Sequence, residues 1–277
     1  MSGAFLEQMA AASHARLQAA KRVLSEASLA EQARRTPAPP MLHLEAAGFD
    51  LIAELKLRSP ASGTLGAPDT DVAARATAYA HSGAAAVSVL TEPERFAGSL
   101  AHLTQAAGAL APLRVPAMRK DFLVDPYQVL EARAAGAGGV LVILRMLSRE
   151  TVGALLDCAR GHGLFVLLEA FDAQDLELMH ELTAAHVGST ALLAGVNCRD
   201  LTTLQVRAER LLELAPLLPE GVPRVAESGV ATAADARRVA AAGYGLALVG
   251  SALMQCADPG ALAATLLAAG RSARRER

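Results

Sequence analysis

Leu51-Ile52-Ala53-Glu54-Leu55-Lys56 is the stretch from which the fold can be read. It is one strand long and nearly continuously apolar, which is how a parallel strand buried on both faces looks in sequence. Two charges interrupt it at the C-terminal end. Glu54 and Lys56 are two residues apart, so alternation puts them on the same face. Charges on a buried strand need a reason. In a parallel barrel, the C-terminal strand ends are where catalytic groups gather.

Working outward, seven further short apolar runs follow, at 86–90, 115–118, 140–144, 165–168, 192–196, 223–226 and 246–249. The intervals between them hold Ala/Leu-rich segments long enough for one helix and two loops. Hairpin signals are nearly absent, so the pattern predicts parallel α/β architecture. Ser82-Gly83, Ala135-Gly136 and Ala242-Gly243 stand just before strands, where glycine suits the left-handed cap that ends a helix. Eight such units predict a closed (β/α)₈ TIM barrel rather than a doubly wound sheet.

Ahead of the barrel, residues 5–33 are rich in good helix formers, and the three prolines of 34–40 break that helix. The predicted organisation is a single domain. A helical N-terminal extension and linker occupies 1–45, the barrel 46–268, and a basic, solvated C-terminal tail 269–277. A chain of 277 residues with 52% hydrophobic content can build one core of this kind.

Composition narrows the function. Charged residues make up 19% and net charge is −2, so electrostatics give no reason to expect nucleic acid or a membrane as partner. No apolar run approaches the roughly 20 residues that span a bilayer. Glu7, His14 and Arg16 interrupt any signal-peptide pattern. Cys158, Cys198 and Cys256 are odd in number and scattered, as reduced thiols are. The expectation is a soluble, cytoplasmic protein. The histidines show no metal-ligand pairing, and Gly136-Ala137-Gly138-Gly139 lacks a dinucleotide-loop pattern, so neither metal nor cofactor is expected.

Polar residues recur at the same end of the other strands. The third run leads into Arg119-Lys120-Asp121 and the fifth into Glu169. The sixth leads into Asn197-Cys198-Arg199, the seventh into Glu227-Ser228-Gly229 and the eighth into Gly250-Ser251. One such case reads as an ion pair or a loop cap. Six at the same end read as a site. Two lysines, three glutamates, Asn and Arg suit acid/base chemistry on a polar small molecule, because burial and neighbouring charge tune their pKa values in opposing directions. Ser228-Gly229 and Gly250-Ser251 follow strands seven and eight, where many barrels hold a substrate phosphate, and Ser59 follows strand one next door. Alternation turns Cys198 away from Asn197 and Arg199.

At these residues the sequence resembles the indole-3-glycerol-phosphate synthase family of tryptophan biosynthesis. The matching segments are Glu54-Leu55-Lys56 with Ser59-Pro60, Ser88-Val89-Leu90-Thr91 with Phe96 and Gly98-Ser99, and Arg119-Lys120-Asp121-Phe122. They continue with Tyr127-Gln128, Glu131-Ala132-Arg133, Asn197-Cys198-Arg199-Asp200-Leu201, Glu227-Ser228-Gly229 and Val249-Gly250-Ser251. Together they span about 51–254, and the helical extension is also similar to the family's.

The resemblance implies a carboxy-lyase without cofactor, acting on a phosphorylated anthranilate-derived ribulose. It implies Lys120 as the general acid of ring closure and Glu169 as its carboxylate partner. Lys56 with Glu54 would orient the substrate carboxylate and assist later steps, and Glu227 would be a further active-site carboxylate. Asn197 and Arg199 would contact substrate, as would Ser228. Ser59, Gly229, Gly250 and Ser251 would bind phosphate, and Phe96 would pack on the anthranilate ring. Association with other tryptophan-pathway enzymes is compatible with it.

Two departures stand out. The loop after strand one reads Ser59-Pro60-Ala61-Ser62-Gly63 where many members carry Ser-Pro-Ser-Lys-Gly. Ala170-Phe171-Asp172 stands where a Val-His-Asp-like run is frequent. They leave room for a paralogue in a specialised indole pathway. Read from residues alone, a sugar-phosphate isomerase or epimerase is the neighbouring alternative, although it needs no clamp for an aromatic carboxylate. A non-catalytic binding barrel is the other, although Lys120 and Glu169 are both retained.

Overall fold

The computed structural model describes residues 3–276, apart from 47, 67–69, 187, 189 and 201–202. Leu201 of the sixth-strand segment therefore lies outside the described residues. Eight parallel strands close into a barrel: β1 (Asp50–Leu55), β2 (Ala86–Leu90), β3 (Ala117–Lys120), β4 (Gly139–Ile143), β5 (Phe165–Ala170), β6 (Leu192–Asn197), β7 (Arg224–Glu227) and β8 (Leu246–Val249). Each pairs with its sequence neighbour, and β8 closes on β1 with Ile52 opposite Leu248.

Alternation divides the strands' side chains between two cores. Ile52, Met118, Leu141, Phe165, Leu167, Leu193, Val225 and Leu248 fill the barrel interior. Leu51, Val87, Val140, Val166, Ala194 and Ala247 face outward against the helices. The strands are largely apolar on both sides because both sides are covered, and the charges they carry gather mostly at their C-terminal ends.

Two helices precede the barrel: α1 (Gly3–Val23) and α2 (Glu26–Arg35). The sequence reads as one helix here, but the chain breaks at Ser25, whose side chain accepts from the Ser28 N–H and starts α2. The principal outer helices are α3 (Val72–His81), α4 (Leu100–Leu110), α5 (Pro126–Ala134), α6 (Arg149–Gly161), α7 (Ala173–Ala185), α8 (Glu209–Leu214) and α9 (Ala233–Ala242). A short α10 (Ser251–Gln255) and a long α11 (Pro259–Arg275) complete the chain. Gly83, Gly136 and Gly243 follow helices with φ of 90°, 88° and 109°, the left-handed conformation expected of them.

The structure differs from the sequence reading at two further places. β3 runs 117–120 rather than 115–118, because Arg119 and Lys120 continue the ladder opposite Val89 and Leu90. The basic tail is not a solvated end, since α11 extends to Arg275. Arg271 donates to the Phe49 carbonyl and to Asp50, and Ala273 is buried, so packing holds the helix across those residues. Among the described residues, no helix is long and apolar enough to cross a membrane.

Candidate active site

The inward positions at the C-terminal ends of β1, β3, β5, β6 and β7 carry Glu54, Lys120, Glu169, Asn197 and Glu227. They line one cavity of about 330 Å³ together with Lys56 and Arg199. Lys56 Nζ lies 2.6 Å from Glu54 Oε1. Lys120 Nζ donates to Glu169 Oε2 at 2.9 Å and to Glu227 Oε2 at 3.3 Å. Glu169 is held from its other oxygen by Asn197 Nδ2 at 3.2 Å. The Asn197 carbonyl oxygen accepts from Ser228 Oγ and from the Arg199 N–H, each at 3.0 Å, which fixes the orientation of the amide.

Burial and pairing compete at these groups. Burial works to lower the pKa of Lys120, but Glu169, Glu227 and Glu54 together outweigh it and hold the ammonium well above the ordinary lysine value. Burial works to raise Glu54, and Lys56, Lys120 and Arg199 overcome it, leaving that carboxylate lowered. Glu227 goes the other way. Burial and the neighbouring Glu169 raise it well above the ordinary carboxyl value despite Lys120. Cys198 turns into the outer core as alternation requires, where burial pushes its thiol up to about 11, the state of an inert structural cysteine.

Two glycines make room for this ring. A Cβ on Gly250 would fall 2.2 Å from Glu54 Oε1 and 3.0 Å from Lys56 Nζ, and one on Gly195 would fall 2.3 Å from Glu227 Oε1. On the β7–β8 side, Ser228, Gly229, Gly250 and Ser251 all border the cavity, with Gly250 at the N-cap of α10. Ser228 is not glycine yet has φ of 65°, a strained conformation of the kind found at functional sites. Ser59 does not border the cavity. Its hydroxyl accepts from the Ser62 N–H at 3.0 Å within the small hairpin after β1.

On the β2–β3 side, Phe96 lines the cavity and packs against Phe122, with ring centroids 6.2 Å apart. Glu92 is fully buried and accepts from the N–H groups of Glu94, Arg95 and Phe96, which sets the turn that presents Phe96. Of the departing residues after β5, Phe171 joins the inner core and Asp172 caps α7.

Sequence reasoning missed part of this wall. α1 brings Phe5 and Leu6 into it, with Phe5 edge-on to Phe122 at 6.1 Å. Val206 lines it too and pairs antiparallel with Arg199. Arg119 and Asp121, flanking Lys120, tie α1 down: Asp121 accepts from Arg16, Thr91, Arg119 and the Phe122 N–H. The apolar spacing of Phe5, Leu6 and Met9 was the available signal for α1. Nothing in sequence says which surface such a stripe covers.

A family model for indole-3-glycerol phosphate synthase matches residues 6–266. The chain is 42% identical over 267 residues to the indole-3-glycerol phosphate synthase of Parafrankia sp., covering 96% of each. It is 44% identical over 223 residues to that of Nocardioides sp., covering 80% of this chain and 82% of the relative. Among solved structures, a 3-hexulose-6-phosphate synthase superposes with a TM-score of 0.61 at 20% identity, over 80% of this chain and 99% of that one. A tryptophan synthase chain from M. tuberculosis gives 0.55 at 18% identity, over 81% of this chain and 93% of that one. Those two similarities speak to the barrel alone. The family model and the curated relatives reach across nearly the whole chain, and the chain belongs to the indole-3-glycerol phosphate synthase family.

Proposed function

We propose that the chain is a cytoplasmic carboxy-lyase of tryptophan biosynthesis. It converts 1-(2-carboxyphenylamino)-1-deoxyribulose 5-phosphate to indole-3-glycerol phosphate, carbon dioxide and water. The observation that carries this reading is the Lys120 ammonium, held by Glu169 and Glu227 and facing a cavity with aromatic rings on one side and a Ser/Gly rim on another. Ring closure brings the ring carbon that bears the carboxylate onto the ribulose ketone. Negative charge then grows on the ketone oxygen, and a fixed cationic acid meets it there.

In this reading Phe96, backed by Phe122 and Phe5, receives the anthranilate ring. Gly229, Gly250 and Ser251 receive the phosphate with Ser228 beside them, and Ser59 supports the adjoining hairpin. Lys56, tied to Glu54, orients the substrate carboxylate until carbon dioxide leaves and aromaticity returns. Glu169, steadied by Asn197, keeps Lys120 charged and aimed. Arg199 contributes positive charge to the same wall. Association with other enzymes of the pathway is consistent with the shared route. The test is direct: purified protein given the carboxyphenylamino-ribulose phosphate should generate indole absorbance. An intact protein that leaves this substrate unchanged would overturn the proposal.

A further inference from the structure

We propose that Leu6 sets how wide an arene the enzyme accepts, and that the cavity behind it is an extension subsite for rings enlarged on the edge opposite their polar groups. The ligand class is an aminoarenecarboxylate wider than a single ring, joined to the same ribulose phosphate. This rests on the reaction assigned above.

A second cavity, of about 570 Å³, lies beside α1, between the segment that follows β4 and the start of α7. Among the described residues, Leu6 is the one side chain that lines both this cavity and the reaction cavity. It is 4% exposed and belongs to the inner core with Met9, Phe122 and Phe171. Leu6 is therefore a partition, with a cavity on either side of it.

The other apolar walls of the reaction cavity have packed structure behind them. Leu90, Leu141 and Ile143 stand on barrel strands, and their outward neighbours Val89, Val140 and Val142 are buried in the outer core. The turn that presents Phe96 is fixed by Glu92, which accepts three backbone N–H groups. α1 is tied down further along, by Ser13 to Gln128 and by Arg16 to Asp121. A shorter side chain at position 6 opens a passage without cutting those ties.

The substrate's own chemistry decides which edge of its ring meets this wall. Carboxylate and amine sit on adjacent ring carbons, and the reaction needs that edge at Lys56 and Lys120. The opposite edge, made of the two carbons para to those groups, faces away from the charges and onto the apolar side. A benzo ring fused there, as in 3-amino-2-naphthoate, lengthens the molecule toward α1 and leaves every reacting atom in place.

Leu6 stands in the way of that extra ring. A single methylene in an apolar pocket changes discrimination roughly 10–200-fold, so a whole fused ring is strongly rejected. The space beyond Leu6 suits an apolar occupant. Met146, Leu147 and Leu178 line it, and its Arg145 is already paired with Asp172 and Asp175 and lies over the Phe171 ring. A ring entering there strands no unpaired charge.

The test compares kcat/KM for the ordinary substrate and for the ribulose phosphate conjugate of 3-amino-2-naphthoate. The proteins are the parent, Leu6→Ala, Ala10→Leu and the double variant. Ala10 lines the second cavity but not the first, so leucine there refills the space from behind. The parent should discriminate against the naphthyl substrate by about 10²-fold or more. Leu6→Ala should raise kcat/KM for the naphthyl substrate at least about tenfold while lowering it for the ordinary one. Adding Ala10→Leu should cancel that gain, whereas Ala10→Leu alone should leave turnover of the ordinary substrate near the parent's. A residue that merely supports the fold would change both substrates by the same factor, and that result overturns the proposal. A gain that survives Ala10→Leu overturns it too, as does a parent that takes both substrates equally well. Should circular dichroism show Leu6→Ala unfolded, Leu6→Val carries the same test: a smaller shift of the same sign supports the partition, and no shift overturns it. A folded parent that converts neither substrate contradicts the assigned reaction instead, so the two failures are distinguishable.

Discussion

Asp121→Ala removes a carboxylate that accepts four hydrogen bonds: from Arg16 Nη2 at 2.7 Å, Thr91 Oγ1 at 2.8 Å, the Phe122 N–H at 2.9 Å and Arg119 Nη2 at 3.1 Å. What it leaves behind decides the magnitude. Arg16 is 27% exposed and can turn to water or toward Glu92, 3.5 Å away. Arg119 is 4% exposed and cannot, although Glu131 and the Gln128 carbonyl still hold its Nη1. Breaking a buried ion pair costs about 3–5 kcal/mol. The surviving partners of Arg119 put this case at the lower end, about 3 kcal/mol. In a chain of this size that lowers the melting temperature by roughly 6–12 °C.

The same substitution releases α1, which carries Phe5 and Leu6 into the cavity, so KM should rise by more than kcat falls. Arg16→Met cuts the same tie without stranding a buried charge. It should cost less than half as much stability while still raising KM. Thermal unfolding followed by circular dichroism, with steady-state kinetics on both variants, tests this. If Asp121→Ala melts within about 2 °C of the parent, or if Arg16→Met loses as much, Arg119 is not the stranded group.

Three further outcomes are expected. Gly250→Ala drives a methyl group into the Glu54–Lys56 pair and should lower kcat/KM by about 10²-fold, the usual consequence of an ångström-scale displacement; kinetics within threefold of the parent would show that the pair can move freely. Ser251→Asp sets a negative charge on the rim proposed for the phosphate, so KM should rise well beyond any change in kcat, and an unchanged KM would mean that the phosphate lies elsewhere. Glu227 binds its proton more tightly in the folded protein than in the unfolded chain, so its contribution to stability falls as pH rises above the ordinary value of 4.5. Glu227→Gln removes that loss, and its melting temperature should gain on the parent's between pH 4.5 and neutrality; a gap that stays constant or narrows contradicts the burial argument.

Much of this was legible in the sequence because barrel strands obey a strict alternation. Once 51–56 is read as a strand, Glu54 and Lys56 must share a face, and the same rule brings Lys120, Glu169, Asn197 and Glu227 to the mouth and turns Cys198 away. β3 was misplaced by two residues because Arg119 looks like a strand exit. Its guanidinium is instead buried against Asp121, two residues on, and against Glu131, which only the packing of α5 on the barrel brings close. The covering role of α1 was hidden for the same reason, since Arg16 finds Asp121 across 105 positions. Ser59 shows the opposite limit: it lies next to the right strand, yet it does not border the cavity, and its hydroxyl accepts from the Ser62 N–H within the small hairpin. The tail 271–277 looked solvated on charge alone, whereas Arg271 is anchored by Asp50 and the Phe49 carbonyl.

The central claim is that Lys120, held by Glu169 and Glu227, is the acid of ring closure. Lys120→Met keeps most of the stem volume and removes the ammonium. The decisive measurement is its steady-state kcat for indole-3-glycerol phosphate formation, on protein shown by circular dichroism to be folded. General acid catalysis contributes roughly 10²–10⁴-fold, so kcat should fall by about that factor with KM changed far less. A folded Lys120→Met protein that keeps more than about a tenth of the parent kcat would contradict the account.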